Sequence, residues 1–198
     1  MAPDADAALM LAFQQGDEGA FRKLFERHAR AMVGFCHHFV RDAARAEELA
    51  QDVFVNLYRA SGRYRPSARF KTFLYRIASN HCLNELRRGE YAARAAEGRA
   101  GAEPADPDGL VSPAPTPEAS AEGAALERAV GALLARLPEK QRAALVLCRL
   151  EGLSYEEIAD VLETSVSAVK SLVHRATVTA AAVLAPFMPS ALPKEVLP

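Results

Sequence analysis

Residues 68–90 read ARFKTFLYRIASNHCLNELRRGE, and this stretch carries the clearest structural signal of the chain. Phe70, Phe73, Leu74 and Ile77 follow the spacing of one buried helix face, which predicts a helix that runs to about Arg88. Cations and aromatic rings are interleaved around it, at Arg59, Arg63, Tyr64, Arg65, Arg69, Phe70, Lys71, Phe73, Tyr75, Arg76, Arg87 and Arg88. Cations neutralise phosphates and any base can stack on an aromatic ring, so the run suits unpaired nucleic acid.

Two interpretations of this run stay open from the residues alone. It is either an amphipathic bundle with solvated cations or a surface that holds single-stranded nucleic acid. Phe70, Phe73 and Leu74 belong at least partly to the core under both interpretations. Tyr64 lies in a polar segment with few apolar neighbours, so it is the better candidate for stacking on a base.

Charge is distributed unevenly around this stretch. The whole chain of 198 residues has a formal net charge of −1, so it is not a polycation. Residues 63–91 hold seven cations against two carboxylates, whereas residues 92–122 hold two cations against six carboxylates. This asymmetry indicates a local anion-binding surface rather than general adhesion to DNA.

Helical spacing also dominates the residues before this stretch. Residues 7–15 predict a short helix that ends at Gly16, and Asp17 is a candidate N-cap for the next. One apolar face is formed by Phe21, Leu24, Phe25, His28, Met32, Phe35, Cys36 and Phe39. A second is formed by Leu49, Val53, Phe54 and Leu57. No alternating strand pattern of useful length occurs, so the sequence predicts an all-α fold.

Residues 92–121 differ in character from both flanks. They hold five of the twelve prolines and almost no large apolar residue, which predicts a disordered linker. Fully extended, such a segment reaches about 100 Å at roughly 3.3 Å per residue. Two turns of B-DNA span about 70 Å, so the linker permits its flanking domains to contact separate DNA elements.

The C-terminal part predicts a helix-turn-helix. Leu126, Val130, Leu133, Leu134 and Leu137 form one apolar face, and Pro138 suits the first turn of the following helix, which ends near Gly152. Ser154 and Glu157 form a capping box, and Ser165 can cap the helix after it. The shared core of the motif would consist of Ile158, Leu162, Val169 and Leu172, with the small Ala159 where the helices approach. A helix-turn-helix presents its second helix to the major groove of duplex DNA.

Composition argues against several classes of function. Three cysteines form no disulfide framework, and the acidic N-terminus lacks the features of a secretory signal. Cys36, His37 and His38, with His28, His81 and Cys82, invite a metal site, but neighbouring helical residues point about 100° apart and do not converge on one ion. No catalytic motif is visible, so we expect that the protein is not an enzyme. The segment 176–192 is too short and too interrupted by proline to span a membrane.

Three stretches together resemble a bacterial sigma factor of the sigma-70 family, in its extracytoplasmic-function group. They are residues 42–60, DAARAEELAQDVFVNLYRA; the stretch 68–90 quoted above; and residues 137–176, LPEKQRAALVLCRLEGLSYEEIADVLETSVSAVKSLVHRA. The resemblance covers roughly residues 21–91 and 126–176. The order and spacing of several motifs match at once, which is more specific than a lone helix-turn-helix.

The resemblance implies two small helical domains joined by a flexible linker. A sigma-2-like bundle would cover residues 1–91, the linker 92–121, a sigma-4-like helix-turn-helix domain 122–180 and a tail 181–198. The implied partners are core RNA polymerase, through its β′ clamp helices and β flap, promoter DNA and an anti-sigma factor. The family has no cofactor and catalyses nothing itself, because polymerase performs the chemistry, and we expect the protein in the cytoplasm without membrane insertion.

The resemblance also assigns residues to surfaces. Docking on polymerase would involve Glu48, Leu49, Gln51, Asp52 and Asn56. Recognition and opening of the minus-ten element would involve Arg63, Tyr64, Arg65, Arg69, Lys71, Tyr75, Arg76, Asn80, Asn84, Arg87 and Arg88. Binding of the upstream minus-thirty-five element would involve Ser154, Ser165, Ser167, Lys170, Ser171, His174 and Arg175.

The helix-turn-helix departs from the family pattern at its turn and on its second helix. Glu163 stands at the turn where glycine is common, which predicts a strained positive φ and a carboxylate near the phosphates. Leu172 and Thr177 stand where arginines are frequent. Fewer cations release fewer counterions, so we expect weak duplex binding with a shallow salt dependence.

Two other functions remain open at this point. One is a polymerase-independent helix-turn-helix regulator whose N-terminal bundle dimerises or senses a signal. The other is a protein that binds polymerase without reading promoters. An acidic helix followed by a basic, aromatic stretch has no purpose in a simple repressor, which favours the sigma-factor interpretation.

Overall fold

The chain is described by a computed structural model that covers residues 4–66, 69–97 and 117–187. Within these ranges every regular element is helical, which confirms the all-α prediction. The α-helices in chain order are α1 (Ala5–Gln14), α2 (Glu18–Val40), α3 (Ala43–Ala60), α4 (Phe70–Glu97), α5 (Pro117–Arg136), α6 (Glu139–Arg149), α7 (Tyr155–Val161) and α8 (Val166–Leu184). Short 3-10 turns follow α3 at Ser61–Arg63 and α8 at Ala185–Phe187.

Helix beginnings follow the local capping chemistry. The Asp17 carboxylate accepts from the Ala20 amide at 3.2 Å and caps α2, as predicted. Both bonds of the capping box are present: the Glu157 amide donates to the Ser154 hydroxyl at 3.2 Å, and the Ser154 amide donates to the Glu157 carboxylate at 2.8 Å. Pro138 lies at the N-cap of α6 rather than inside its first turn, because its ψ of 145° is extended.

The N-terminal domain is built by packing α4 on α2 and α3. Phe35 of α2 meets the ring of Tyr75 edge-on at 5.0 Å, and the sulfur atoms of Cys36 and Cys82 lie 3.7 Å apart in the core. Cys36 is buried, as the sequence predicts for a small apolar residue. These contacts fix the rotation of α4 about its axis and hence the face that it leaves exposed.

Helix α1 holds the start of α4 and the loop before it. One carboxylate oxygen of Asp4 caps α1, and the other accepts from the Phe70 amide at 2.8 Å. The Gln14 side chain donates to the carbonyl oxygens of Ser61 at 2.6 Å and Tyr64 at 3.1 Å. The predicted short N-terminal helix is therefore present, and it positions the loop that follows α3.

The C-terminal domain comprises α5 to α8. Leu147, Ile158 and Val169 are fully buried where α6, α7 and α8 meet, and Ala159 is buried beside them. Gly152 has a φ of 67°, the left-handed conformation that lets the chain turn from α6 into α7. Leu162 and Leu172, predicted for the shared core, are only partly buried at its edge.

The two domains pack against each other through α4 on one side and α6 and α7 on the other. The buried guanidinium of Arg142, on α6, donates to the Phe39 carbonyl oxygen near the end of α2 at 3.1 Å. On α5, Gly131 is closely approached by the Arg41 guanidinium, so a side chain at this position would force Arg41 to move.

The ends of the predicted linker are helical. Helix α4 continues to Glu97 and α5 begins at Pro117, so the predicted boundaries at 92 and 121 differ from the structure. Residues 91–97 read YAARAAE, and alanine, arginine and glutamate have high helix propensity, which explains the extension of α4. Residues 98–116, the middle of the segment predicted to be disordered, lie outside the described residues.

Replacing Phe35 by alanine is expected to lower the free energy of unfolding by about 3–5 kcal/mol. Phe35 is 0% exposed and contacts the rings of Phe39 and Tyr75, so its loss leaves a cavity between α2 and α4. Urea unfolding followed by circular dichroism measures the change.

Phe187→Ala is the matched control, because the same side chain is 43% exposed there. We expect a change of about 0.5 kcal/mol or less for this variant. Equal losses for the two variants would contradict the assignment of Phe35 to the core.

Candidate nucleic-acid interface

The second helix of the helix-turn-helix, α8, presents a polar stripe to solvent. The exposed side chains of this stripe are Ser167, Lys170, Ser171, His174 and Arg175. The buried stripe on the other side consists of Val169, Val173 and Ala176. All the predicted upstream-element residues of α8 therefore share one accessible side of the helix.

Ser154 and Ser165 are exposed and serve as caps. The Ser165 hydroxyl accepts from the Ala168 amide at 3.1 Å, as the Ser154 hydroxyl does from Glu157. A hydroxyl that accepts one bond keeps its own proton for donation. Both serines can therefore contact a phosphate without giving up the cap.

The turn of the motif has the predicted strain. Glu163 has a φ of 49°, a left-handed conformation that is uncommon for any residue other than glycine. The Thr177 hydroxyl donates to the Val173 carbonyl oxygen at 2.8 Å within α8, and Leu172 packs against the core. Neither residue replaces the cations that the family pattern has at these positions.

Most of the predicted minus-ten residues lie at the surface of the N-terminal domain. The exposed ones are Arg63, Arg65, Arg69, Lys71, Asn80, Asn84, Arg87 and Arg88, and Arg76 is half-buried. Tyr64 and Tyr75 are buried. The polar side chains of this predicted set are thus mostly exposed, whereas its two aromatic rings are buried.

The expectation that Tyr64 has little to pack on is wrong. Tyr64 is 1% exposed, and its ring lies 5.2 Å from that of Phe73 and 6.3 Å from that of Phe70. The loop brings the ring back onto the first turn of α4, which sequence spacing does not reveal. Tyr64 supports the loop, and its ring face is not available to a base in this conformation.

Tyr75 is also a packing residue. Its ring stacks edge-on against Phe35, and its hydroxyl donates to the carboxylate of Glu151 in the C-terminal domain. Burial and this hydrogen bond both raise the pKa of Tyr75. The hydroxyl therefore stays protonated and keeps its role as a donor at neutral pH.

A polar groove lies between the end of α3 and the middle of α4. It has a volume of about 300 Å³ and is lined by Asn56, Arg59, Ala60, Arg63, Ile77, Asn80 and His81. Amide, guanidinium and imidazole groups supply donors and acceptors for the edge of a base, and Ile77 supplies an apolar wall. Arg63 and Asn80 were predicted as minus-ten contacts, and Arg59 belongs to the run of cations and aromatic rings that suits unpaired nucleic acid.

Asn56 and His81 were not assigned to a DNA surface by the sequence. Asn56 was predicted to dock on polymerase, and it also lines this groove. Helical spacing could have identified part of the groove, because Ile77, Asn80 and His81 are neighbours on one side of α4. Their approach to α3 depends on the packing of the two helices, which one sequence does not reveal.

The exposed face of α3 carries the predicted docking residues. Glu48, Gln51 and Asp52 are exposed, and Glu48 forms an ion pair with Arg45 at 2.6 Å. Arg45 also contacts Glu85 of α4 at 2.7 Å. Leu49 is 2% exposed and belongs to the core, so its predicted contact with polymerase is not available in this conformation.

An apolar groove of about 390 Å³ adjoins this acidic face. Its lining consists of Phe21, Phe25, Gln51, Phe54, Val55, Tyr58 and Arg59. Phe25 was predicted to be buried, but it is 42% exposed, and Val55 and Tyr58 are exposed opposite it. Large apolar side chains that remain accessible together mark a surface for a protein partner.

Cys36, Cys82 and His28 belong to the core of the N-terminal domain or to its edge. A hydrogen bond with Cys36 and burial raise the pKa of Cys82, so both conditions favour the protonated thiol. The His28 ring contacts Asp6 at 2.8 Å. Among the residues that the structure describes, no three histidine, cysteine or acidic side chains are grouped so as to hold a metal ion.

None of the helices in the described ranges is long and apolar enough to cross a membrane.

Comparison with known proteins identifies two family regions in this chain. The family described as Sigma-70 region 2 matches residues 24–90, and the family described as Sigma-70, region 4 matches residues 127–177. The first region lies within the N-terminal domain of the fold and the second within the C-terminal domain.

Similar proteins cover both regions together. The chain is 36% identical to the RNA polymerase sigma-H factor of Pseudomonas aeruginosa over 174 residues, which is 87% of this chain and 90% of that protein. It is 34% identical to the extracytoplasmic-function (ECF) RNA polymerase sigma-E factor of Haemophilus influenzae over 183 residues, with 86% and 90% covered. The solved structure of CnrH in complex with the cytosolic domain of CnrY is similar over 93% of this chain and 100% of that chain, with a TM-score of 0.69 and 27% identity.

Lys170→Ala is expected to weaken binding to duplex DNA and to make the salt dependence shallower by about one unit of slope. Lys170 is exposed in the middle of the α8 stripe, so its loss removes one counterion-releasing contact. Fluorescence anisotropy with a duplex, repeated over a series of salt concentrations, measures the slope.

Arg128→Ala is the control, because it removes a cation from α5 of the same domain. Arg128 is exposed, and its side chain donates to the Ala124 carbonyl oxygen at 3.2 Å. An unchanged slope for Lys170→Ala, or an equal change for Arg128→Ala, would rule out α8 as the duplex-contacting helix.

Proposed function

The chain belongs to the sigma-70 family of RNA polymerase sigma factors, in its extracytoplasmic-function group, and we propose which of its surfaces carry out each part of promoter recognition. Sigma factors direct core RNA polymerase to promoter DNA, and polymerase performs the chemistry. We propose no catalytic step and no cofactor for this chain, and we place its action beside polymerase in the cytoplasm. The observation that carries the proposal is the match to both regions of the family along one chain.

The docking surface that we propose for core polymerase is the exposed side of α3 with its apolar groove. Glu48 and Asp52 supply negative charge, and Phe25, Val55 and Tyr58 supply apolar area beside it. Charge complementarity increases the association rate, while buried aromatic residues contribute most to affinity. A basic and partly apolar partner, such as the clamp helices implied for the family, fits both properties.

The polar groove between α3 and α4 is our proposed capture site for an unpaired base of the minus-ten element. Its side chains can read the edge of one base, and its volume of about 300 Å³ suits a group of that size. Opening DNA costs about 1.4 kcal/mol per base-pair step. A pair of hydrogen bonds to the edge of one captured base contributes roughly 1–3 kcal/mol. The captured base therefore offsets a few steps, and polymerase must hold the rest of the opened region.

The upstream element is assigned to the exposed stripe of α8. One lysine, one arginine and one histidine lie on this stripe, so the proposed contact relies on few phosphate-neutralising groups. Glu163 adds a carboxylate near the path of the DNA backbone. We expect this domain to position the complex rather than to supply most of its affinity.

An inhibitory protein partner is part of the proposal. CnrH, which this chain resembles over nearly its whole length, was solved in complex with the cytosolic domain of CnrY. The apolar groove on α2 and α3 offers an accessible surface for a protein of this kind. Such a partner would compete with polymerase if it covered the same groove.

Asp52→Arg is expected to weaken binding to core polymerase at least tenfold, because reversing a charge at a complementary interface leaves two like charges opposed, at a cost of about 2–5 kcal/mol. Run-off transcription gives the readout. Purified core polymerase is supplied with a pool of promoter fragments from the source genome, with and without the protein. Discrete transcripts should depend on the protein and disappear with this variant.

Glu26→Arg provides the matched charge reversal on an exposed position of α2. It should retain both core binding and transcripts. If the parent protein yields no selective transcripts but binds core, promoter reading is excluded, and if it binds no core, the polymerase-independent regulator becomes the better explanation.

Asn80→Ala is expected to reduce promoter opening about tenfold while core binding is unchanged. Asn80 lines the polar groove, and losing its hydrogen bonds to a base edge, worth roughly 1–3 kcal/mol, has this effect. Permanganate reactivity of unpaired thymines in the polymerase complex measures the opened state. Asn84→Ala, further along α4 and outside the groove, should have a smaller effect, and equal losses would contradict capture in the groove.

A further inference from the structure

Helix α1 contacts both ends of the loop that joins α3 to α4. The loop comprises residues 61–69, of which the structure describes 61–66 and 69. It carries Arg63, Arg65 and Arg69, three exposed cations that the family pattern assigns to the minus-ten element. A loop that is ordered in advance loses less conformational entropy when it binds. The contacts that fix this loop therefore affect how well it can bind DNA.

The start of the loop is held by the side chain of Gln14, the last residue of α1. Its amide nitrogen donates to the Ser61 carbonyl oxygen at 2.6 Å and to the Tyr64 carbonyl oxygen at 3.1 Å. The Tyr64 amide donates to the same Ser61 oxygen at 3.0 Å and closes a 3-10 turn. One side-chain amide thus joins both ends of the turn that contains Arg63.

The end of the loop is held by Asp4, the N-cap of α1. One of its carboxylate oxygens accepts from the Asp6 and Ala7 amides, and the other accepts from the Phe70 amide at 2.8 Å. Phe70 begins α4 and directly follows Arg69. A single carboxylate therefore connects the first turn of α1 to the first turn of α4.

Between these two contacts, α1 is a rigid spacer. Its 10 residues span about 15 Å at roughly 1.5 Å per residue. Met10 is fully buried, and the ring of Phe13 lies 4.8 Å from that of Phe21 and 5.0 Å from that of Tyr58. These contacts fix α1 on α2 and α3. The two ends of the loop are thus held a set distance apart by an element outside the loop.

The two contacts lie outside the family pattern. The region that matches sigma-70 region 2 begins at residue 24, and α1 precedes it. Neither Asp4 nor Gln14 was assigned to a DNA or polymerase surface by the sequence. Their bonds to the loop join residues 47 to 66 positions apart, so they become apparent only in the folded chain.

We propose that Asp4 and Gln14 are positioning residues for the minus-ten element, which hold the loop between α3 and α4 in its binding arrangement before DNA binds. The inference rests on the proposed function, because it takes this loop as part of the minus-ten surface. Each residue acts through the backbone at one end of the loop and not by contact with DNA. Losing either contact leaves the loop to be ordered during binding, which weakens capture of the opened strand.

Gln14→Glu tests the first contact. It replaces the donating amide by a carboxylate of nearly the same shape, which has no proton to donate to the two carbonyl oxygens. In complex with core polymerase, on a promoter identified by the run-off assay, we expect the equilibrium constant for opening to fall about fivefold. Permanganate reactivity measures it. Core binding should change less than about twofold, because these bonds do not involve the docking face of α3.

Gln15→Glu is the matched control. It makes the same change of charge at the next residue, whose side chain is exposed and donates no hydrogen bond to any residue that the structure describes. Opening by this variant should stay within about twofold of the parent.

Asp4→Asn tests the second contact while α1 keeps its cap. Asparagine caps helices as well as aspartate does, but its NH2 group would face the Phe70 amide, donor against donor. We again expect opening to fall about fivefold with core binding retained. Asp17→Asn is the control, because it makes the same change at the N-cap of α2, where the carboxylate accepts from the Ala20 amide.

Amide hydrogen exchange separates positioning from a general loss of stability. We expect exchange at the Tyr64 amide in Gln14→Glu, and at the Phe70 amide in Asp4→Asn, to become at least about fivefold faster. Exchange at amides in the middle of α2 and the urea midpoint should match those of the parent, because the rest of the domain stays closed.

The outcomes distinguish the two levels of the proposal. If both variants open promoters as well as their controls do, with core binding intact, the inference is overturned. A loss of opening that comes with a matching fall in the urea midpoint overturns it as well, because the contacts would then only stabilise the fold. If the parent protein binds no core polymerase or opens no promoter, the proposed function fails, and the inference fails with it.

Discussion

The rotation of α4 about its own axis is the constraint on which every other surface depends. The ring of Tyr75 against Phe35 and the sulfur of Cys82 against Cys36 bind one side of this helix to α2. With that side used for the core, the arginines and asparagines between residues 69 and 88 are left facing outward. The same packing forms the wall of the polar groove and offers cations to the C-terminal domain. A helix that builds the core and also carries the proposed DNA surface cannot change its packing without changing that surface.

Features that depend on local chemistry could be predicted from the sequence. The caps at Asp17, Ser154 and Ser165 follow from a few neighbouring residues, and the structure contains each of them. The positive φ of Glu163 was expected from the family pattern, which has glycine at that turn, and the structure contains it as well. Helical spacing likewise gives the order of the helices. The family resemblance, carried by three quoted stretches, supplied the domain order that periodicity alone leaves open.

Features that depend on long-range packing could not be predicted in this way. Tyr64 was expected to be free because its sequence neighbours are polar, but α1 and α4 enclose it from elsewhere in the chain. Helical spacing placed Leu49 on an apolar face, and the structure confirms this, whereas the family resemblance assigned it to the docking surface. The groove that joins Asn56 to Asn80, and the contact of α4 with α7, each join residues more than twenty positions apart. Such contacts depend on how whole helices pack, which one sequence without relatives does not specify.

The strained turn at Glu163 has a consequence for the lifetime of the upstream contact. A carboxylate in that place, with few cations on α8, raises the dissociation rate far more than it slows the encounter, because closely related complexes differ mainly in how fast they separate. If α8 binds the upstream element as proposed, we expect its residence there to be short. Polymerase must leave the promoter to begin elongation, and a short-lived upstream contact opposes that step less than a long-lived one. We therefore expect a weak recognition helix to favour rapid turnover of the start site over long occupancy.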